Sequence, residues 1–123
     1  MLAVALSAGV IAAAGVSLGC VGDQIAAIEA TSDARATLFV AEQDWVVASV
    51  ELADLLTERA MAGVALPGDA KIALRIVRAA GKRALQQARA SLAAGHIGEP
   101  FASAIADLVQ ATQSLAGETG RLR

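Results

Sequence analysis

Apolar side chains recur at alternating steps of three and four residues along three stretches of this chain. The stretches cover about residues 32–61, 69–94 and 100–116. A repeat near 3.6 residues puts such side chains on one side of an α-helix, and alternating steps of three and four are typical of helices packed in bundles. We therefore predict an all-α fold in which each apolar stripe is buried.

The predicted core combines large aliphatic and aromatic side chains with alanine and glycine. Its members are Leu38, Ala41, Trp45, Ala48, Leu52 and Leu55, then Leu74, Val77, Gly81, Leu85, Ala88 and Leu92, and finally Phe101, Ile105, Leu108, Thr112 and Leu115. Phe39, Val46 and Val50 are expected to widen the buried face of the first helix. The composition agrees with helix, because 56% of residues are hydrophobic and only 2% are aromatic, and alanine and leucine favour helix over sheet.

Glycine and proline mark two expected breaks between helices. Residues 63–68 (GVALPG) predict a turn. Residues 95–100 (GHIGEP) predict another, in which Gly95 ends a helix and Pro100 lies in the first turn of the next. Ser32 and Asp33 are suited to capping the first helix, although it could also begin near Asp23. The expected architecture is an apolar N-terminal helix, an antiparallel helical hairpin and a third short helix.

The apolar leader, residues 1–22, contains no charged side chain, and residues 23–123 form the predicted helical domain. About 20 apolar residues suffice to cross the hydrocarbon of a bilayer as a helix. One interpretation is a lipoprotein signal, cut before Cys20 so that Cys20 is acylated. The sequence Ser17-Leu18-Gly19-Cys20 supports it, but the leucine stands one place late and the basic segment of a signal peptide is missing.

Two further interpretations of the leader stay open. It is a transmembrane helix that is never cut, or an apolar helix buried in protein within a larger assembly. In both, small residues on one face would let neighbouring helices approach closely; they are Ala8, Ala12, Gly15 and Gly19.

Charge is distributed unevenly between the first two predicted helices. Residues 23–60 contain eight acids and two bases, whereas residues 71–89 contain six bases and no acid. An antiparallel hairpin would then pair acids of the first helix with bases of the second, in the order Glu58–Arg75, Asp54–Arg78, Glu51–Lys82 and Asp44–Arg89. The same alignment sets large residues opposite small ones, as Leu52–Gly81, Ala48–Leu85 and Trp45–Ala88. We expect the apolar stripes to hold the hairpin and the charges to select its register.

The sequence offers no recognisable chemistry for catalysis. His96 is the only histidine, and with Glu99 it gives two potential metal ligands in a glycine-rich loop, fewer than a metal site needs. A net charge of −2 and the scarcity of aromatic residues argue against nucleic acid. We therefore expect no enzyme activity, no cofactor, no metal, no nucleic acid and no small-molecule substrate.

The order of these features resembles a family of small proteins. A leader ending in Leu18-Gly19-Cys20 precedes an amphipathic segment with Phe39 and Trp45, then an Ala/Arg-rich run (AAGKRALQQARA, residues 79–90), the sequence SLAAG and a short last helix. This layout resembles the small helical lipoproteins or membrane-anchored proteins of tailed phages and prophages, many without an assigned function. The resemblance implies a place at the bacterial envelope and transfers only the acylation of Cys20.

Two functions follow as expectations. The first is a non-enzymatic, phage-encoded helical protein that is anchored at the envelope membrane and acts by self-association or by docking a partner, in lysis, exclusion of other phages or entry. The second is an oligomeric structural subunit of a phage particle or channel, in which the N-terminal helix is not cut and packs against neighbouring subunits. Both predict a homo-oligomer that contacts lipid or other subunits through its N-terminal segment.

Overall fold

The computed structural model describes the backbone of residues 20–123 and the side chains from residue 29 onward. Three helices make up this part of the chain: α1, Cys20–Met61; α2, Gly68–Ala93; and α3, Glu99–Leu122. No strand occurs between residues 20 and 123, so the all-α fold class is confirmed. The predicted N-terminal helix lies almost wholly outside the described residues, which begin at Cys20.

Helices α1 and α3 are both longer than predicted. α1 is helical from Cys20, the first described residue, and runs straight through Ser32 and Asp33, so of the two expected starts the one near Asp23 is closer. Alanine-rich sequence on either side of these residues favours an uninterrupted helix. α3 continues to Leu122 rather than ending near residue 116. In its last turns Thr119 is buried, and the Thr119 hydroxyl is satisfied because it donates a 2.8 Å hydrogen bond to the Leu115 carbonyl.

Glycine ends α1 and α2 in the same way, as predicted for Gly95. Gly63 and Gly95 have φ values of 72° and 77°, a left-handed backbone conformation that suits glycine. After Gly95, the His96 amide donates to the Ser91 carbonyl at 2.8 Å, and the Gly95 amide donates to Leu92 at 3.0 Å. This pair of bonds is the Schellman motif. Pro100 stands in the first turn of α3, also as predicted.

The predicted core is confirmed at every stripe position. All seventeen residues are buried or partly buried, and the largest fully buried side chains are Phe101, Leu108 and Leu115. Prediction missed several small residues that fill the space between helices: Ala30, Ala34, Ala84, Ala104 and Ala111. Alanine gives a weak hydrophobic signal, yet it determines how closely two helices approach.

The helix pairing differs from the predicted hairpin. α2 and α3 share the most extensive contact, α1 packs next against α3, and the contact between α1 and α2 is the smallest. Alanines such as Ala84 and Ala111 line the packed core and let α2 and α3 approach closely, whereas the Trp45 ring stands between α1 and α2. The hairpin is therefore one side of a three-helix bundle rather than its organising unit.

The predicted residue pairing of α1 with α2 is wrong by one heptad. The Trp45 ring lies on Gly81, not on Ala88, which stands seven residues later. Ala88 instead belongs to a cluster with Ala34 and Leu38. A large residue does face a small one, as expected, but apolar stripes that repeat every seven residues fit almost equally well after a shift of seven.

A candidate docking site on helix α1

Helix α1 exposes large apolar side chains on the side that faces away from the bundle. We define the α1 outer face by the five of them that the structure exposes between residues 39 and 50, which are Phe39, Val40, Val46, Val47 and Val50. Phe39 is 62% exposed and Val50 is 53% exposed. The expectation that Phe39, Val46 and Val50 widen the buried face is therefore wrong. At about 100° per residue, Val50 lies about 180° around the helix from the core residue Ala41.

This exposure sets α1 apart from its two neighbours. α2 and α3 have one apolar side and one polar side, whereas α1 carries apolar residues both on the side that faces the bundle and on the side that faces outward. A helix with apolar residues on opposite sides is normally covered on both sides. In this bundle α2 and α3 cover only one side of α1. The α1 outer face therefore has the composition of a buried surface but is open to its surroundings.

A shallow cleft adjoins the α1 outer face. Its volume is about 400 Å³, and its walls are residues of α1 and α3. Val40, Ala41 and Asp44 form the α1 wall, and Ile105 and Val109 form the α3 wall. Val109 is itself an exposed apolar side chain, so the open apolar surface continues from α1 onto α3.

Four acids of α1 lie on the side of this helix nearer α3, in this cleft or the next one along the helix. We define the acidic flank as Asp44, Glu51, Asp54 and Glu58. They fall within about 80° of one another around the helix. Asp44 lines the cleft described above, and the other three line a second cleft together with Arg123, whose guanidinium is 3.9 Å from the Glu51 carboxylate.

Four bases of α2 lie on the opposite side of α1. We define the basic flank as Lys71, Arg75, Arg78 and Lys82. All four line a cleft of about 470 Å³ together with Leu56 of α1 and Leu66 of the connecting turn. α1 thus separates an acidic flank on its α3 side from a basic flank on its α2 side.

This separation explains why the predicted ion pairs do not form. Among residues 29–123, side-chain ion pairs within 4.0 Å join Arg89 to Glu42, Arg121 to Glu118 and Arg123 to Glu51. The predicted pairs Glu58–Arg75, Asp54–Arg78, Glu51–Lys82 and Asp44–Arg89 are not among them, so the predicted charge register is wrong within one chain. The reason is geometric, because the acidic flank lies on the α3 side of α1 and the basic flank lies on its α2 side. Glu42 lies on the α2 side of α1 and therefore can pair with Arg89.

Arg59 carries out a structural role that the sequence analysis missed. Its guanidinium donates 3.0 Å hydrogen bonds to the carbonyls of Leu122, at the end of α3, and Ala65, in the turn after α1. Carbonyls at a helix C-terminus carry partial negative charge, so a cation there is favourable. Arg59 stands alone among acids in sequence, and only the fold brings the two carbonyls to it.

The remaining predicted positions carry less structural information. His96 is exposed in the loop between α2 and α3. Cys20 is the first residue of α1. The small-residue positions Ala8, Ala12, Gly15 and Gly19 lie outside the described residues. Within residues 29–123, whose side chains the structure describes, His, Cys, Asp and Glu side chains form no group of three placed to bind a metal ion.

Comparisons with known proteins return no relationship for this chain. No protein-family model matches it, and no curated protein or solved structure does either. In the part of the chain that the structure describes, no helix combines the length and apolar character needed to cross a bilayer.

Proposed function

We propose that this protein is a non-enzymatic, membrane-anchored helical protein that acts by docking through the α1 outer face. The observation that carries the proposal is the exposure of Phe39, Val40, Val46, Val47 and Val50 on one side of a single long helix. Contiguous exposed apolar surface of this kind marks sites where another protein or a membrane binds. The bundle behind it supplies a rigid support.

The anchor is the second part of the proposal. Residues 1–22 contain no charge, and a helix of that length reaches about 33 Å at 1.5 Å per residue. The last three leader residues are already helical and continuous with α1. An anchor at this end, whether a spanning helix or acyl groups on Cys20, would therefore hold α1 and its outer face close to the bilayer.

The alternative is an oligomeric structural subunit of a phage particle or channel, with an uncut N-terminal helix packed against neighbouring copies. Helical backbone from Cys20 onward favours it, because an uncut leader could extend α1 without a break. A phage origin, a place at the bacterial envelope and the biological step remain predictions under both functions.

Chemical labelling tests whether the α1 outer face is covered in the cell. Two single substitutions, Val47→Cys and Ile76→Cys, place a thiol on the α1 outer face and on the exposed outer side of α2. Membranes from cells that make the full-length variants are treated with a polar maleimide, with the wild-type chain as the control for Cys20. We expect Val47→Cys to react slowly in membranes and rapidly after denaturation, and Ile76→Cys to react rapidly in both.

Equal reactivity of the two thiols in membranes would contradict docking through the α1 outer face. The same preparation tests the anchor, because we expect the protein in the membrane fraction, either full-length or cut and acylated at Cys20. The mass of its N-terminal fragment separates acylated, trimmed and intact forms. Recovery of an unmodified chain from the soluble fraction would contradict the anchor but leave the docking result standing.

A further inference from the structure

The exposed side of α1 carries a heptad pattern of its own. We define the α1 seam as the exposed residues that follow one another at steps of three and four along this side. They are Ala36, Phe39, Gln43, Val46, Val50, Ala53 and Thr57, and all seven are exposed. This spacing keeps one stripe of a helix facing a partner helix, and it is the pattern of two-stranded coiled coils. α1 therefore has two such stripes, one that faces the bundle and one that faces outward.

The charges beside the α1 seam indicate what the partner is. The acidic flank lies on one side of α1 and the basic flank on the other, and seven of their eight members have no ion-pair partner within 4.0 Å among residues 29–123. Glu51 is the member of the acidic flank with a partner, at 3.9 Å from Arg123. A partner that satisfies both flanks must itself present acid on one side and base on the other. This same chain does so.

Symmetry determines how two copies would meet. If a two-fold axis runs along the seam, the two α1 helices are parallel and the acidic flank of each copy faces the basic flank of the other. If the axis runs across the seam, the helices are antiparallel and acid faces acid. In a two-fold interface each contact between an acidic and a basic flank occurs twice. Complementary charge therefore favours the parallel arrangement.

The heights of the charged residues also agree with the parallel arrangement. Glu42 and Arg89 pair within one chain, so they mark a position along the bundle axis at which the ends of long side chains of α1 and α2 meet. Asp54 lies twelve residues along α1 from Glu42, and Arg78 lies eleven residues back along α2 from Arg89. Parallel copies have the same positions along the bundle axis. The end of the Asp54 side chain of one copy therefore lies at the same position along this axis as the end of the Arg78 side chain of the other.

We propose that a second copy of this chain docks on the α1 seam to form a parallel, two-fold dimer. This inference rests on the proposed function, because it names the partner of the α1 outer face. Parallel α1 helices also start from the same end of the dimer, so both chains can reach one membrane. Gln43 is the one seam residue with a long polar side chain, and a polar residue within an apolar seam favours a single register.

Sedimentation of the full-length protein in mild detergent tests the dimer. Val50→Lys puts a charge in the seam, and Ile76→Lys makes the same kind of change at an exposed branched residue on α2. We expect a dimer whose dissociation constant rises at least about tenfold for Val50→Lys and changes little for Ile76→Lys, because an ammonium group is costly to bury. Far-UV circular dichroism checks that both variants keep their helix content.

A charge exchange between two chains tests the parallel orientation. Asp54→Lys alone and Arg78→Glu alone each put like charges opposite one another across the proposed dimer, whereas a mixture of the two variants restores opposite charge on both sides. We expect each variant to dimerise more weakly than wild type and the mixture to form a heterodimer of near wild-type affinity. Ion pairing within one chain cannot produce rescue by mixing.

Several outcomes overturn the proposal. A monomer at all accessible concentrations does so, as does a dimer that Val50→Lys and Ile76→Lys affect equally, which would place the contact outside the seam. Failure of the mixed variants to associate better than either alone overturns the parallel orientation. If Val47→Cys is protected in membranes while the purified chain stays monomeric, the docking function stands and lipid or another protein is the partner.

Discussion

Replacing Gly81 by alanine tests the packing that sets the distance between α1 and α2. A Cβ atom added at Gly81 would overlap the six-membered ring of Trp45, at Cη2, Cζ2 and Cζ3. The ring is largely buried, with 8% of the residue exposed, and it is rigid. Relief therefore requires α1 to move away from α2 or the indole to leave its favoured position.

Two opposing effects set the size of the change. Overpacking a core by one methyl group costs about 1–3 kcal/mol, whereas alanine in place of glycine within a helix gains up to about 1 kcal/mol. We therefore expect Gly81→Ala to lower the free energy of unfolding by up to about 2 kcal/mol. Gly117→Ala is the matched control, because a Cβ there meets no atom within 4 Å. It should raise the free energy of unfolding by about 0.5–1 kcal/mol.

Urea denaturation followed by far-UV circular dichroism measures both variants. The difference between them removes the common effect of helix propensity and should equal the steric cost, about 1–3 kcal/mol. That corresponds to a difference in Tm of about 4 °C for each kcal/mol. Adding Trp45→Leu should remove most of the penalty of Gly81→Ala. Equal stabilisation by Gly81→Ala and Gly117→Ala would refute the close approach of Trp45 to Gly81.

Two further substitutions test the rest of the bundle. Arg59→Ala should lower the free energy of unfolding by about 1–3 kcal/mol, because a charged donor to two carbonyls is lost, whereas the exposed Arg83→Ala should change it by less than about 0.5 kcal/mol; equal effects in urea denaturation would argue against the Arg59 contacts. Leu108→Ala should cost about 2–5 kcal/mol, because Leu108 is fully buried. Its exposed neighbour gives the control Val109→Ala, and a small effect at Leu108 would contradict the position of the core.

The burial pattern was predictable because it depends on helix geometry alone. Once a segment is helical, residues at steps of three and four share one side, so the stripes from Leu38 to Leu115 could be identified without knowing which helix packs on which. The same helix geometry also identifies the α1 outer face. Val50 lies about 180° from Ala41, and that position was sufficient to place it outside the core.

Charge could not be assigned in this way. The four acids and four bases of the predicted pairs match in number and nearly in spacing. The direction in which α1 is rotated about its own axis, however, also depends on the third helix of the bundle. α3 lies on the acidic side of α1, so Glu51 meets Arg123 while Glu42 meets Arg89. Exposed ion pairs contribute too little to rotate a helix against its apolar packing.

The sequence by itself determined the helical fold, the two glycine-ended turns and the side of each helix that is buried, because each follows from local propensity and the 3.6-residue period. Only the tertiary structure decided which helices pair closely, the placement of Trp45 on Gly81 and the contacts of Arg59 with two distant carbonyls. These depend on side-chain volume and on groups far apart in the chain, which a repeating pattern does not record.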